Sequence, residues 1–293
     1  MTLINRIARR FLPQLQSADS HVSSIDEVAH VVSAESLARL ERNLLRHQIS
    51  VKWDVIHRLE ALKPPRSDVD CALCGERHRR DELAIFDSNC IFEGGAIRRF
   101  QCPSCDVIFG SEVMLAFDAA ALTKEYEWHY QVFEEGDSTE QEVRAFHALK
   151  PNKDAIYINW GAGSWSSSVR QLRAEGWQVF GYEPHASARI NDDAMLGSLS
   201  EVVALGPQGI FSNNLLEHFR DPVAELKQMS AVLPSGSLMS HATPCFEYCF
   251  EFTRFHLFFF LGRSKYLIAS EAGLDVEEYV EEGNFRNLVL RKP

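Results

Sequence analysis

Apolar and polar residues repeat along the chain with two different periods, and the switches between them predict its elements. Leu37, Leu40, Leu44 and Leu45, then Val55, Ile56 and Leu59, recur at steps of three and four between Ser33 and Leu62, which predicts a helix. Lys63-Pro64-Pro65-Arg66 ends it, because the prolines lack N–H donors and push the residue before them out of the helical conformation. Residues 68–109 are cysteine-rich and follow neither period. The helical period returns from Ser111 to Lys150, with Ser138 and Thr139 placed to cap a helix that runs to Leu149 and stops at Pro151. From Ala155 onward short apolar runs at 156–158, 178–182, 210–212 and 237–240 read as strands, alternating with helical patterns at 166–175 and 221–233. Strands alternating with helices of about ten residues predict an α/β protein with a doubly wound parallel sheet. The expected organisation is a helical region over 1–66, a ribbon over 67–110, a helical connector or lid over 111–150 and the sheet domain over 151–293.

Composition narrows the picture. A chain of 293 residues with 45% hydrophobic residues is a folded globular protein, and its length favours two domains. The longest strongly apolar run, Phe255 to Leu261, is interrupted by His256 and is far shorter than the roughly 20 residues a membrane-spanning helix needs. With 30 basic against 41 acidic residues the formal net charge is −11, which counts against an extended contact with nucleic acid. The first turns differ: Arg6, Arg9 and Arg10 beside Ile4, Ile7, Phe11 and Leu12 form a basic amphipathic pattern that can lie on an anionic membrane surface, serve as a transit sequence or dock on its own domain. Seven cysteines without a legible secretory leader point to metal binding in a reducing compartment. The protein is therefore expected in the cytoplasm, with the basic segment offering a route to the inner face of the membrane. Oligomeric state is not legible.

Four of those cysteines form two pairs, Cys71-Ala72-Leu73-Cys74 and Cys102-Pro103-Ser104-Cys105. Each Cys-x-x-Cys turn aims two thiolates at one point, and two turns complete the tetrahedron of a structural zinc site. Cys90 or His78, inside the long intervening loop, could replace one ligand. A redox role needs only one pair at a helix start, and four thiolates leave no open position for chemistry on the metal. Cys245 and Cys249, among Phe246, Tyr248 and Phe250, read as core packing.

The first strand runs through Asn159 and Trp160 into Gly161-Ala162-Gly163 and then a helix. Glycines there let a ligand approach the backbone, and the helix start offers free N–H groups. Glu183 follows the second strand, about 20 residues after Gly163, where a carboxylate can accept ribose hydroxyls. This much suits NAD as well as S-adenosylmethionine. Downstream stand Glu217-His218-Phe219-Arg220-Asp221-Pro222, then Leu233-Pro234-Ser235-Gly236, then Thr243-Pro244. In this order the motifs resemble class I S-adenosylmethionine-dependent methyltransferases, whose Rossmann-like sheet has seven strands. The resemblance covers roughly Ala155 to Arg291, and with the cysteine pairs the chain is similar to bacterial sugar methyltransferases that carry an amino-terminal zinc-binding domain.

The resemblance implies that Asn159, Gly161, Ala162, Gly163, Glu183, Pro184 and Asn213 surround the cofactor, with Glu183 on its ribose. Asn159 stands where the family usually has an acid, Trp165 at its third glycine, and Gly209 where an Asp often precedes the fourth strand. It also implies methyl transfer to a sugar hydroxyl of a polysaccharide or other glycan. Methylation of ribosomal RNA and a catalytically silent binding module in glycan assembly are the alternatives. Methyl transfer to oxygen needs alignment and a base, and a histidine suits the second task. His218, beyond the fourth strand, is the first candidate, with Glu217 orienting it or touching the cofactor; His256 and His241 follow. A role for Glu217-His218 as a cap of the next helix is the structural alternative. His185 falls near the expected adenosine, and Tyr126, Trp128, His129 and Tyr130 precede the first strand, where they could fold over the site or simply pack. The acidic run Glu277, Glu278, Glu281 and Glu282 reads as the solvated face of a late strand.

Overall fold

A computed structural model describes residues 34–64, 66–133, 136–163, 166–184 and 193–293. The amino-terminal basic pattern, Trp165 and His185 lie outside the described residues. The chain divides into two units between Leu45 and Arg46, and the second, Arg46–Pro293, is compact. Helix α1 (Ala34–Ala61) follows the predicted span and stops short of Pro64. Within the second unit it buries Ile49 and Trp53.

The cysteine-rich segment is a ribbon. Strands β1 (Asp68–Asp70) and β2 (Arg77–Arg79) pair antiparallel around the first Cys-x-x-Cys turn. Strands β3 (Ala84–Asn89), β4 (Ala96–Gln101) and β5 (Ile108–Gly110) form an antiparallel sheet that carries the second. Both turns close alike. Gly75 N donates to Cys71 O at 2.9 Å and Asp106 N to Cys102 O at 2.8 Å, and these donors sit in the left-handed region at φ +76° and +69°. Glycine meets that demand without strain, and aspartate is among the few other residues that tolerate it.

A connector follows, with α2 (Glu112–Ala116), α3 (Ala119–Tyr130) and α4 (Thr139–Ala148). The large sheet then contains β6 (Ile156–Trp160), β7 (Gln178–Tyr182), β8 (Met195–Leu196), β9 (Gly209–Asn213), β10 (Leu238–Ala242), β12 (Asp275–Glu282) and β13 (Phe285–Arg291) in the order 12-13-10-9-6-7-8. All pairings from β10 to β8 are parallel, and β13 runs antiparallel to β10 and β12. This is a Rossmann-like, doubly wound sheet of seven strands. Helices α5 (Ser167–Ala174), α6 (Leu199–Leu205), α7 (Pro222–Ala231) and α8 (Ser264–Glu271) connect its strands. The chain moves outward from β6 to β8, then returns to β9 on the other side of β6. The carboxyl ends of β6 and β9 therefore frame the switch point where ligands bind in such sheets.

Packing explains two glycines. A Cβ at Gly209 would lie 2.9 Å from the Tyr157 ring, and one at Gly181 would lie 2.5 Å from Met195 Sδ and 2.9 Å from Ala162 Cβ. The bare backbone of β7 thus lets the glycine loop press against it. Below, Phe146 of α4 meets the rings of Tyr157, Trp177 and Phe211 at 5.3, 5.1 and 5.5 Å, edge-on, in the main core. A two-residue strand from late in the chain, β11 (Phe258–Phe259), leaves the sheet domain and pairs with β5, so the ribbon and the sheet share one packed body. Among the described residues no helix is long and apolar enough to cross a membrane.

Candidate functional site

The glycine loop is held against β7 by its own backbone. Gly161 N and Ala162 N both donate to Tyr182 O, at 2.9 and 3.3 Å. Gly161 and Gly163 have φ of +77° and +67°, which favour glycine. A Cβ on Gly161 would also strike Leu215 Cδ1 at 2.6 Å, whereas one on Gly163 would meet no described residue within 4 Å. Glu183 directly follows β7 and is half-buried; Pro184 after it is exposed. Asn213 ends β9. Three neighbouring strands thus bring Gly161, Ala162, Gly163, Glu183 and Asn213 to one sheet edge. Open glycine backbone, a carboxylate and a helix start suit a nucleoside carrying a charged tail.

Asn159 is buried inside β6, and its Nδ2 donates to Glu142 Oε2 at 2.6 Å and to Ser168 Oγ at 3.2 Å. Glu142 comes from α4. Ser138, expected as the cap of that helix, makes no side-chain cap bond; its hydroxyl donates to Glu142 Oε1 at 2.6 Å instead.

Beyond β9 a single 3₁₀ turn, Leu216–His218, turns Glu217 and His218 toward His256. Ligand atoms of these three residues lie within 4.8 Å of one another, a donor set that takes protons and also suits a divalent transition metal. Glu217 is fully buried and accepts Thr243 Oγ1 at 2.6 Å. The His218 and His256 rings stand 5.0 Å apart, edge to face, and Tyr126 of α3 closes on His218 at 5.4 Å. Burial pushes the His218 imidazole down to about 4, against a hydrogen bond to the Phe255 backbone. Its Nδ1 is shielded and has no hydrogen-bond partner among the described residues. Burial, and next the adjoining His218, hold His256 well below the usual range, while its Nδ1 faces Phe250 O at 3.0 Å and Cys245 Sγ at 3.4 Å. Both rings are neutral at pH 7.

Capping of α7 is not their task. Asp221 does it, its Oδ1 accepting Ala224 N at 2.8 Å. His241 requires a correction: it lies inside β10 and not beyond it, because the strand continues to Ala242. Fully buried there, it pairs through Nδ1 with Ser212 at 2.8 Å, and burial pushes it down to about 3. It is not in the cluster of Glu217, His218 and His256.

The ribbon holds the loop that carries His256. Buried Arg99 of β4 donates to Thr253 O at 2.6 Å, to Glu251 O at 2.8 Å and to His256 O at 3.3 Å. Arg254, also buried, lies 3.7 Å over the Trp53 ring and donates to Cys90 Sγ at 3.3 Å. Cys90 is thereby engaged away from the cysteine cluster. In that cluster Cys71 and Cys105 approach to 3.8 Å and Cys74 and Cys102 to 3.7 Å, with all four sulfurs within 4.8 Å. A tetrahedron with zinc–sulfur bonds near 2.3 Å has edges of about 3.8 Å, so the cluster fits zinc. His78 Nε2 stands 3.4 Å from Cys102 Sγ, at the rim, where it can support a thiolate.

The buried histidines also make the fold acid-sensitive. His129 and His218 are pushed down to about 4 and His241 to about 3, each chiefly by burial, while the unfolded chain titrates near 6.5. The unfolded state therefore binds protons first as pH falls. Stability is complete above about pH 6.5 and is lost toward about pH 4, each group adding up to about 1.4 kcal/mol per pH unit. Urea midpoints measured at pH 7.5, 6.5 and 5.5 should fall steeply over the last step; a flat series contradicts this.

No family of known proteins and no curated protein matches this chain. Among solved structures it is similar to the mitomycin 7-O-methyltransferase MmcR, at 16% identity and TM-score 0.44, covering 59% of this chain and 60% of that one. It is similar also to CalO1, a methyltransferase of calicheamicin biosynthesis with bound S-adenosylhomocysteine, at 15% identity and TM-score 0.45, covering 63% and 62%. A third is the Burkholderia thailandensis 1,6-didemethyltoxoflavin-N1-methyltransferase, at 14% identity and TM-score 0.46, covering 67% and 95%. The chain thus spans about three-fifths of the first two. Likeness of this degree leaves the chemistry to be argued from the residues.

Proposed function

We propose that the chain is an S-adenosylmethionine-dependent methyltransferase acting on a hydroxyl, with a sugar of a polysaccharide or other glycan as the acceptor. One observation carries the reading: a positive-φ glycine loop, a carboxylate after the next strand, and the Glu217, His218 and His256 cluster beyond β9 all occur at one edge of the sheet. The glycan rests on the motif resemblance alone.

The cofactor supplies an electrophilic methyl group on sulfur. Gly161 and Gly163 leave room for its amino-acid end, Glu183 accepts its ribose hydroxyls, and Asn213 and Pro184 flank it. On the acceptor side His218 Nδ1, which has no hydrogen-bond partner among the described residues, has the lone pair to take the hydroxyl proton. Glu217 stabilises the imidazolium that results, and Tyr126 shields the pair from water. The four cysteines hold zinc, which has a structural role.

Calorimetry with S-adenosylmethionine, S-adenosylhomocysteine and NAD tests the cofactor. We expect binding of the first two and none of NAD. Glu183→Ala should weaken S-adenosylhomocysteine about 10- to 100-fold, the value of bonds to a charged group worth roughly 1.5–3 kcal/mol. Unchanged affinity removes Glu183 from the site. Radiolabelled methyl transfer to a panel of glycans and to ribosomal RNA then separates an enzyme from a silent module and identifies the acceptor class.

A further inference from the structure

We propose that Glu142, on α4, is the counter-ion for the α-ammonium group at the amino-acid end of the cofactor; the inference rests on the cofactor reading above. Its carboxylate is a convergence point. Asn159 Nδ2 from the end of β6 donates to Oε2 at 2.6 Å, Ser168 Oγ from the first turn of α5 at 2.5 Å, and Ser166 Oγ at 3.4 Å. Ser138 Oγ donates to Oε1 at 2.6 Å. The carboxylate therefore sits between the strand that leads into the glycine loop and the helix that leaves it.

Every one of these donors is neutral, and among the described residues no Lys, Arg or His pairs with Glu142. A carboxylate drawn in from solvent is costly unless a cation accompanies it. Two carboxylate oxygens offer about four lone-pair sites. Oε2 takes Asn159, Ser168 and, at 3.4 Å, Ser166, whereas among the described residues Oε1 has one donor and one site left. An ammonium group brings a positive charge and three donors to that site. The same geometry accounts for the amide at position 159. An acid there would set a second carboxylate within hydrogen-bond distance of Glu142, and one of the two would be forced to take up a proton. Asn159 and Glu142 act as a unit in which the amide donates and the carboxylate keeps the charge.

The test compares S-adenosylhomocysteine with its deamino analogue and with 5′-methylthioadenosine, which lacks the amino-acid end. By calorimetry the wild-type protein should bind the deamino analogue about 10- to 100-fold more weakly than S-adenosylhomocysteine. Glu142→Gln should lose the same factor for S-adenosylhomocysteine and keep its affinity for 5′-methylthioadenosine, which also shows that the variant is folded. Adding Asn159→Asp to Glu142→Gln exchanges amide and acid and should restore most of the loss. Wild-type protein that binds S-adenosylhomocysteine and its deamino analogue equally overturns the proposal without any variant. So does a folded Glu142→Gln with unchanged affinity, which leaves Glu142 only tying α4 to α5. Failure of the wild-type protein to bind any of the three overturns the cofactor reading itself, and this proposal with it.

Discussion

Replacing His218 with alanine should lower the rate of methyl transfer by about 10²- to 10⁴-fold, the usual contribution of a positioned base, and leave S-adenosylhomocysteine affinity unchanged. The expectation comes from geometry on the acceptor side. The ring stands beside buried Glu217, 5.0 Å from the His256 ring, with a shielded Nδ1 that no described donor occupies. Removing it does not disturb the glycine loop or Glu183, so binding and chemistry should separate. A purely structural His218 predicts the reverse: a lower melting temperature with turnover nearly intact. The pH profile adds a second readout. Because burial pushes the imidazole down to about 4, turnover should be level from pH 6 to 8, whereas a solvated imidazole gives an inflection near 6.5. A folded His218→Ala with wild-type turnover would move the base to His256, whose ring shares the cluster.

The cysteine pairs, the glycine loop and the alternating strands were all legible in the sequence because each is a local pattern. Strand β7 occurs over the predicted residues, and α1, α4, α5 and α7 differ from their predicted ends by a few positions. What escaped depends on partners far away in the chain. Strands β8 and β11 have two residues each, too few to show a period, and β11 is a strand only because β5 lies beside it. Arg99 reads as a surface charge in a ribbon, yet it is fully buried and satisfied by backbone carbonyls 152 to 157 positions further on. Glu142 reads as one more acid on the polar face of a helix. Its meaning comes from Asn159, 17 positions later, and no spacing rule connects them. His241 was misplaced for a simpler reason: strand ends carry the weakest pattern, and two more residues of β10 suffice to bury it.

Loss of the cysteine cluster should have the widest consequences, and the path can be followed residue by residue. We expect about one equivalent of zinc per chain in protein purified without added metal, and none in a Cys71→Ser, Cys102→Ser double variant. Binding at such sites is worth about 10–16 kcal/mol in small peptides, so the ribbon should not persist without it. Cys102 follows β4 and leads through Asp106 into β5; β5 pairs with β11 through Phe109 and Phe258, two residues after His256. Arg263, near the start of α8, also grips the second turn through Asp106 Oδ2 at 2.9 Å and Pro103 O at 2.7 Å. Unfolding the ribbon therefore releases both Arg99 and the loop that presents His256, while β6, β7 and the glycine loop have their own core around Phe146. The double variant should lose methyl transfer more completely than it loses S-adenosylhomocysteine, and should expose Trp53 to quenching. Chelation of the wild-type protein should give the same pattern, reversed by added zinc. Metal-free protein obtained under reducing conditions, with a normal melting temperature and normal activity, would overturn the zinc assignment and the link from ribbon to His256 together.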